Sequence, residues 1–364
     1  MIHPGLKVVV LAATLAAAGC KKQPAAAPPP PVTIAALAAI PADATAVVGL
    51  DIDRLARSRL VGRAVDEMLE RDPELRDRLA ALAKACGIDL GKQVKTVHLA
   101  LGPVGTGPRA SLLVATGELA EQTLTHCLQA GVGAGGGDVT VRQTDGRTIY
   151  RLAAGRQVLY FGFGHADTVV LGPREDWVVA GLADGPKVET SPLLGPGLTA
   201  VDQGAALWAV ATVEPELGLA LVRLSKGAIA AGPSLVSGSL DPIDGVRATA
   251  TFTMTTASDA RALTDYARGE LAMGTIAAQA LGLAKVLAKV SVDQAGPGVR
   301  FRVTLTDGEV KDVLAAIDRG LPGGQDAQPA ADAGVSSDST PTPITPTPTP
   351  TPTATTLDAG ADAR

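Results

Sequence analysis

Residues 94–128 read VKTVHLALGPVGTGPRASLLVATGELAEQTLTHCL, which predicts two strands followed by a helix. Apolar residues alternate in the first segment and run together in SLLVAT, as in partly or fully buried strands, and the last segment has helical spacing. The same order recurs in residues 234–271, SLVSGSLDPIDGVRATATFTMTTASDARALTDYARGEL. Strand, strand, helix thus occurs twice, and we predict a duplicated α+β unit.

The neighbouring segments also occur in pairs. TAVVGLDI (45–52) and AALWAVATV (205–213) each predict a strand that opens one copy and leads into an amphipathic helix. Residues 138–152 and 288–305 each predict a hairpin, with period-two alternation around an Asp-Gly or Gly-Pro-Gly turn. Such tight turns favour a mainly antiparallel sheet with amphipathic helices packed on one face.

These pairs divide the chain into a first repeat, residues 40–198, and a second, residues 199–320. In the first, QVLYFGFG and DTVVLG predict one further hairpin, followed by a short helix over residues 173–182.

Helix boundaries are marked by capping residues. Asp72 followed by Pro73 begins a helix that Gly87 ends, and Thr306 with Glu309 forms a capping box. Apolar stripes on these helices predict core positions. The stripe residues are Leu75, Leu79, Leu82 and Cys86, then Ile276, Ala280, Leu283 and Leu287, and last Val310, Val313, Leu314 and Ile317.

Near the start of the chain, Lys7 precedes an apolar run over residues 8–18, which ends in Ala17-Ala18-Gly19-Cys20. This pattern resembles the signal and lipobox of a bacterial lipoprotein. A run of about 11 residues is too short for a spanning helix, so we expect a signal peptide over 1–19 and acylation (palmitate) of Cys20. The alternative is ordinary secretion with a free thiol. Lys21, where Asp would favour the inner membrane in such lipoproteins, indicates anchoring in the outer membrane of the cell envelope.

Two flanking segments have the composition of unfolded chain. Residues 20–39 are rich in Pro and Ala and predict a tether. Residues 321–364 contain TPTPITPTPTPTPT (340–353), whose prolines favour polyproline II, so this tail is predicted to be disordered. It is a spacer, a glycosylation substrate or a repeat without a role.

Composition excludes some partners. The formal net charge is -5, with both signs scattered, so no basic stripe is present for nucleic acid. Aromatic residues make up 2% of the chain, which argues against a carbohydrate groove built on rings.

Three stretches of the body form a recognisable pattern, namely IPADATAVVGLDIDRL (40–55), Cys86-Gly87-Ile88-Asp89 and TVVLGPREDWVVAGL (168–182). With this pattern the body resembles a broad group of bacterial lipoproteins of high-GC species that have no established activity. The resemblance covers residues 40–320 and implies a duplicated α+β fold, but it supplies no site residues.

Cys86 and Cys127 both fall on apolar helix faces. In an oxidising compartment they form a possible disulfide, while the alternative is two buried thiols that pack as small apolar groups. Spacing alone leaves the two open.

The remaining polar residues give no catalytic or metal-binding pattern. His3, His98, His126 and His165 show no zinc-site spacing, and His126 is expected to be an exposed helix residue. Asp51 and Asp53 have a spacing compatible with calcium or acid-base chemistry, but a strand end and the N-cap of a helix beginning at Arg54 are the simpler interpretation. The glycine-rich residues 133–137 lack a phosphate-loop ending.

We therefore predict no catalytic, metal or cofactor site, and three hypotheses follow. The leading one is a non-enzymatic envelope lipoprotein, held at the membrane by acylated Cys20, that binds an envelope protein or the cell wall. The first alternative is a carrier of a lipid or other apolar ligand, with a cavity between the sheet and a helix over residues 273–289. The second alternative is a hydrolase with an unrecognised site.

Overall fold

The computed structural model of the protein describes residues 36–87, 89–104, 109–134, 137–165, 167–280 and 282–320. The strands are β1 Ala46–Asp51, β2 Val94–Leu101, β3 Ser111–Gly117, β4 Asp138–Thr144, β5 Arg147–Ala154, β6 Gln157–His165, β7 Thr168–Gly172, β8 Leu207–Thr212, β9 Leu235–Asp241, β10 Val246–Thr253, β11 Ser291–Ala295 and β12 Gly298–Leu305. The α-helices are α1 Ile52–Ala56, α2 Arg59–Arg71, α3 Pro73–Cys86, α4 Leu90–Gln93, α5 Glu121–Ala134, α6 Glu175–Leu182, α7 Gly195–Ala200, α8 Pro215–Leu224, α9 Ala257–Ala280, α10 Ala284–Leu287 and α11 Asp307–Gly320.

All the strands belong to one antiparallel sheet, so the α+β class is confirmed. Their order is β11-β12-β10-β9-β8-β1-β2-β3-β7-β6-β5-β4. The strands of the two predicted repeats therefore share one sheet, joined by the pairing of β1 with β8. In the described part of the chain, no helix is both long enough and apolar enough to cross a bilayer.

The strand order is similar on the two sides of the β1–β8 pair. One side continues β9-β10-β12-β11 and the other β2-β3-β7-β6-β5-β4, so the β6–β7 hairpin is the addition on the second side. This topology fits the duplication, which stays a prediction.

The two faces of the sheet carry different helices. Leu112 of β3 packs in a core with Val178 of α6, whereas the next residue, Leu113, packs with Leu124 of α5. Because successive strand residues point to opposite faces, α6 and α5 lie on opposite faces of the sheet. Following the register partners of Leu113 along the sheet leads to Phe301 of β12, which packs against α9. The long helices α5 and α9 thus share one face, and the α6 layer covers the other beside β1–β3.

The chain enters the fold earlier than predicted. Residues Leu37–Ala39 form a 3-10 helix, and Leu37 and Ala39 are buried in the core beneath α6. The predicted tether over 20–39 is therefore wrong at its end, because these apolar side chains lose their contact with water in the fold. The rest of the tether, residues 1–19, Cys20 and the tail 321–364 lie outside the described residues.

The capping predictions are confirmed. The Asp72 side chain accepts a hydrogen bond from the Leu75 amide (2.9 Å), and Gly87 ends α3 with φ 62°. At α11 the Thr306 amide donates to Glu309 (2.9 Å), and the Glu309 amide donates to the Thr306 hydroxyl (3.4 Å). The capping residues in the sequence therefore predicted these helix ends correctly.

Several stripe residues are not core residues. Ile276 is 71% exposed. Three other stripe residues are also at the surface: Leu79 (42% exposed), Leu314 (48%) and Ile317 (49%). The cause at α9 is that the sheet contacts Leu263, Ala267 and Leu271 instead. The helix predicted over 273–289 is also wrong: α9 ends at Ala280 and α10 begins at Ala284, with Gly282 at φ 73° between them.

The pairing of β1 with β8 depends on a glycine. Gly49 is the register partner of Trp208 in β8 and of His98 in β2. A Cβ atom on Gly49 would lie 2.2 Å from Cε2 of Trp208, so the buried indole occupies the space that a side chain would need. His98, also buried, contacts the same indole with ring centroids 5.6 Å apart.

We expect Gly49→Ala to lower the free energy of unfolding by about 2–3 kcal/mol, because the methyl group forces Trp208 out of position. Urea unfolding measures this. Gly62→Ala is the control: Gly62 lies in α2 with no atom within 4 Å of the position that a Cβ would take, so this change should stabilise by up to about 1 kcal/mol. Equal stability of the two variants would contradict the proposed role of the glycine.

Candidate functional site

An apolar groove lies between the sheet and the helices of the second half. Its volume is about 450 Å³ and it is partly open to solvent. Phe252 of β10 and Phe301 of β12 form the floor, and α8, α9 and α10 form the walls. The wall residues are Leu221, Leu224, Ser225, Ile229, Pro233, Leu263, Tyr266, Ala267, Glu270, Leu271, Gly274 and Leu287.

Helix α9 contributes two small residues to the lining of the groove. Ala267 and Gly274 both line the space, seven residues apart and hence on one side of the helix. A Cβ atom on Gly274 would lie 3.2 Å from Leu287 of α10, so a side chain there enters the groove. Larger residues at these positions would fill the space between α9 and the strands.

The floor and the outer wall are held in place by specific contacts. The rings of Phe252 and Phe301 pack edge to face with centroids 5.5 Å apart. At the outer wall, Gly232 packs directly on Gly218 of α8, where an added Cβ would lie 2.5 Å from the Gly218 Cα. This close approach of two backbones fixes α8 beside the groove.

Three polar side chains line the groove, and one of them, Ser225, is buried and already donates its hydroxyl to the Val222 carbonyl (2.7 Å). The Tyr266 hydroxyl donates to the Leu224 carbonyl (3.1 Å), which links α9 to α8. Loss of water around that hydroxyl, together with the charge of Glu270, raises the pKa of Tyr266. Tyr266 and Glu270 are the titratable residues among the lining residues. A ligand would therefore meet an apolar interior and one carboxylate at its exposed end.

Of the three cysteine side chains, the structure describes one, that of Cys127. Cys127 of α5 is buried and disulfide-bonded. Cys86 is the last residue of α3, a helix that packs against α5, but its side chain is outside the described part, so the Cys86–Cys127 pairing stays a prediction. Cys20 also lies outside it.

The two histidines whose side chains the structure describes, His98 and His126, lie apart from the groove. His98 is buried in β2, and its Nδ1 has no hydrogen-bond partner among the described residues. His126 is exposed on α5, which confirms the interpretation of that residue. No group of three or more His, Cys, Asp or Glu in the described ranges has the geometry to hold a metal ion. His3 is outside those ranges, as is the side chain of His165.

Asp51 and Asp53 lie at the start of a helix, as the simpler interpretation predicts, but this helix begins two residues earlier than expected. Asp51 is the N-cap of α1, and its side chain accepts a hydrogen bond from the Arg54 amide (2.8 Å). The helix begins at Ile52 and not at Arg54, so Asp53 lies in its first turn. Of the glycine-rich residues 133–137, the first two end α5 and positions 135–136 are outside the described residues.

Comparisons with known proteins add little to this geometry. No family model matches the chain. No curated protein matches it either. A solved structure described as "Structure of crystal form I of TP0453" aligns with 79% of this chain and 99% of that one, at 9% sequence identity and a TM-score of 0.41. A likeness this weak carries no argument about function.

Sequence reasoning missed most of the groove. It proposed a cavity beside residues 273–289, and Gly274 and Leu287 do line the groove, but Leu263, Ala267 and the α8 side chains were not identified. The available clue was the spacing of Ala267 and Gly274 on an otherwise amphipathic helix.

We expect His98 to make stability depend on pH. Burial lowers the pKa of His98 to about 4 from 6.5, so between these pH values the unfolded chain binds a proton that the folded chain does not. Its contribution is complete above pH 6.5 and is lost as the pH falls, with a maximum loss of about 3 kcal/mol. His98→Leu should flatten the unfolding free energy over pH 4–6.5, measured by urea titration.

The control is His126→Leu, at the exposed α5 position, which should keep the pH dependence of the wild type. If the unfolding free energy of His98→Leu depends on pH in the same way as that of the wild type and of His126→Leu, His98 is not the group responsible for the pH dependence.

Proposed function

We propose that this protein is a lipid-anchored, non-enzymatic protein of the cell envelope that binds an apolar ligand of the acyl-chain class in the groove between α9 and the sheet. The observation that carries the proposal is an open space of about 450 Å³ lined almost entirely by apolar side chains. Pockets for small molecules are typically of this volume and lined in this way.

The energetics favour an occupied groove. Exposed apolar surface is costly in water, at about 25 cal/mol per Å², and each methylene that a ligand buries contributes about 0.8 kcal/mol. The aromatic floor of Phe252 and Phe301 and the aliphatic walls offer contact on several sides. An acyl chain matches these walls because it needs no hydrogen-bond partner.

The mouth of the groove restricts the polar end of the ligand. Glu270 lines the mouth, and Tyr266 already uses its hydroxyl to donate to Leu224. A carboxylate on the ligand would meet the like charge of Glu270. We therefore infer an uncharged or amine-bearing head group in preference to a free fatty acid.

The anchor is consistent with this role. An acylated Cys20 would hold the protein at a membrane, where acylated ligands are abundant, with about 0.8 kcal/mol contributed by each buried methylene. This attachment, its outer-membrane location and the kinship with high-GC lipoproteins all remain part of the proposal.

The second candidate is a surface for an envelope protein or the cell wall. It is supported by exposed apolar side chains on the outer sides of α8 and α9, namely Leu217 (58%), Leu219 (59%), Met273 (61%) and Ile276 (71%). Such a patch is typical of interaction sites. The hydrolase alternative has no comparable support, since the groove has only Tyr266 and Glu270 as titratable lining residues.

The test is to fill the groove. We expect Gly274→Leu to weaken binding of a neutral fluorescent probe, N-phenyl-1-naphthylamine, and its displacement by a monoacylglycerol, by at least tenfold. The leucine occupies the space between α9 and Leu287 while raising helix propensity, so the fold is kept. Fluorescence titration of the purified protein measures both affinities.

Gly269→Leu is the matched control. Gly269 lies on α9 with no atom within 4 Å of its Cβ position, so the change has the same helix effect outside the groove and should leave binding intact. If both variants bind as wild type does, the groove is not the binding site. If wild type binds no apolar probe, the ligand-binding function is refuted and the outer surface of α8 and α9 becomes the leading candidate.

A further inference from the structure

The opposite face of the same strands carries a polar cleft. In β10, Thr249 and Thr251 alternate with Ala250, so the threonines point away from the face that α9 covers. The register partners of Thr251 are Ser237 in β9 and Arg300 in β12. Opposed residues share a face, so hydroxyl and guanidinium groups form one continuous surface there.

One wall makes this surface a cleft. The end of α7 and the following residues, Ala200–Asp202 and Ala205, rise beside the strands and enclose a volume of about 220 Å³. The remaining lining residues come from β9, β10 and β12. The cleft is independent of the apolar groove because the sheet lies between them.

The hydroxyl groups of the cleft are unused. Ser237, Ser239, Thr249 and Thr251 line it, and within the described part of the chain none of their hydroxyls hydrogen-bonds to another protein group. Ser237 is nevertheless only 8% exposed. Four donors thus converge on a space from which bulk water is partly excluded.

Two of the charged residues at the cleft are already neutralised by a partner. Asp241 pairs with Arg54, whose guanidinium donates to both carboxylate oxygens, and this pairing lowers the pKa of Asp241. Arg302 pairs with Asp293. These pairs add no net charge to the cleft.

The other charges leave a positive excess. Arg247 and Arg300 have no carboxylate within 4.0 Å among the described residues, although both line the cleft. Asp202 in the wall carries one negative charge. Two cations against one anion leave the cleft with a net attraction for a negatively charged group.

A phosphate group fits this set of donors better than a carboxylate. Arg247 and Arg300 each present a planar fork of N–H donors, and the floor adds four hydroxyls. A carboxylate has two acceptor oxygens, whereas a phosphate monoester has three and carries up to two negative charges. Thr249 and Thr251 lie about 7 Å apart along the strand, in a row that has Arg247 at one end and Arg300, the register partner of Thr251, at the other.

We propose that the cleft between α7 and strands β9, β10 and β12 binds a phosphate group, held by Arg247 and Arg300 and by the hydroxyls of Ser237, Ser239, Thr249 and Thr251. The group belongs either to a soluble phosphate ester or to the head group of an anionic lipid. The site is separate from the apolar groove and does not depend on the function proposed for it.

The first test is calorimetric titration of the purified protein with inorganic phosphate and with glycerol phosphate. The double variant Arg247→Ala, Arg300→Ala is expected to bind at least tenfold more weakly, and Thr249→Val, Thr251→Val, which keeps side-chain shape, is also expected to bind more weakly. Arg261→Ala, at an exposed position on α9, is the charge-matched control and should bind as wild type. Thermal unfolding verifies that each variant is folded.

Vesicles distinguish the two sources of phosphate. Binding to glycerol phosphate in solution supports a soluble ester, and co-sedimentation with phosphatidylcholine vesicles only when they contain phosphatidic acid, a lipid with a phosphate monoester head group, lost in the arginine variant, supports a lipid head group. No binding in either arm overturns the site. Equal affinity for acetate and phosphate, or an equal loss with Arg261→Ala, overturns the phosphate assignment.

Discussion

The pairing of β1 with β8 at Gly49 and Trp208 is the contact on which the rest of the structure depends. It joins strands that lie far apart in the sequence, and each half of the sheet extends outward from it. The pair tolerates no side chain at Gly49 because the buried indole already fills that space. His98 completes the cluster, held neutral by burial beside the ring. With this junction formed, the strands of both predicted repeats build one sheet.

The two halves of that sheet are covered unequally, and this difference creates the candidate sites. Beside β1–β3, α6 and the chain around Leu37 cover the face opposite α5. In the second half, that same face carries hydroxyls and arginines, with the end of α7 and the residues that follow it as one wall. On the other face, α9 packs on the strands and leaves apolar space beside Phe252 and Phe301. Both proposed binding sites thus lie where the helices leave part of the sheet in the second half uncovered.

Local features of the fold could be predicted from the sequence because their determinants are local. Alternation located the β4–β5 and β11–β12 hairpins, and capping residues located both ends of α3. The solvent exposure of helix residues could not be predicted. An apolar stripe such as the one predicted from Ile276 to Leu287 has the same sequence whether it faces the sheet or solvent. The burial of Leu37 likewise depends on tertiary contacts. A groove is even harder to predict from sequence. It forms where the side chains do not fill the space between helices and strands, and that space is known only once the elements are placed.

Native mass spectrometry of the protein, purified from the cells that produce it, tests the central claim most directly. We predict a population heavier than the bare chain by the mass of one acylated, uncharged or amine-bearing molecule, and we predict that this mass disappears under denaturing conditions while the covalent mass of the chain is unchanged. An identical mass in native and denaturing conditions, even after incubation with a total lipid extract, would contradict the claim that the groove between α9 and the sheet holds an apolar ligand.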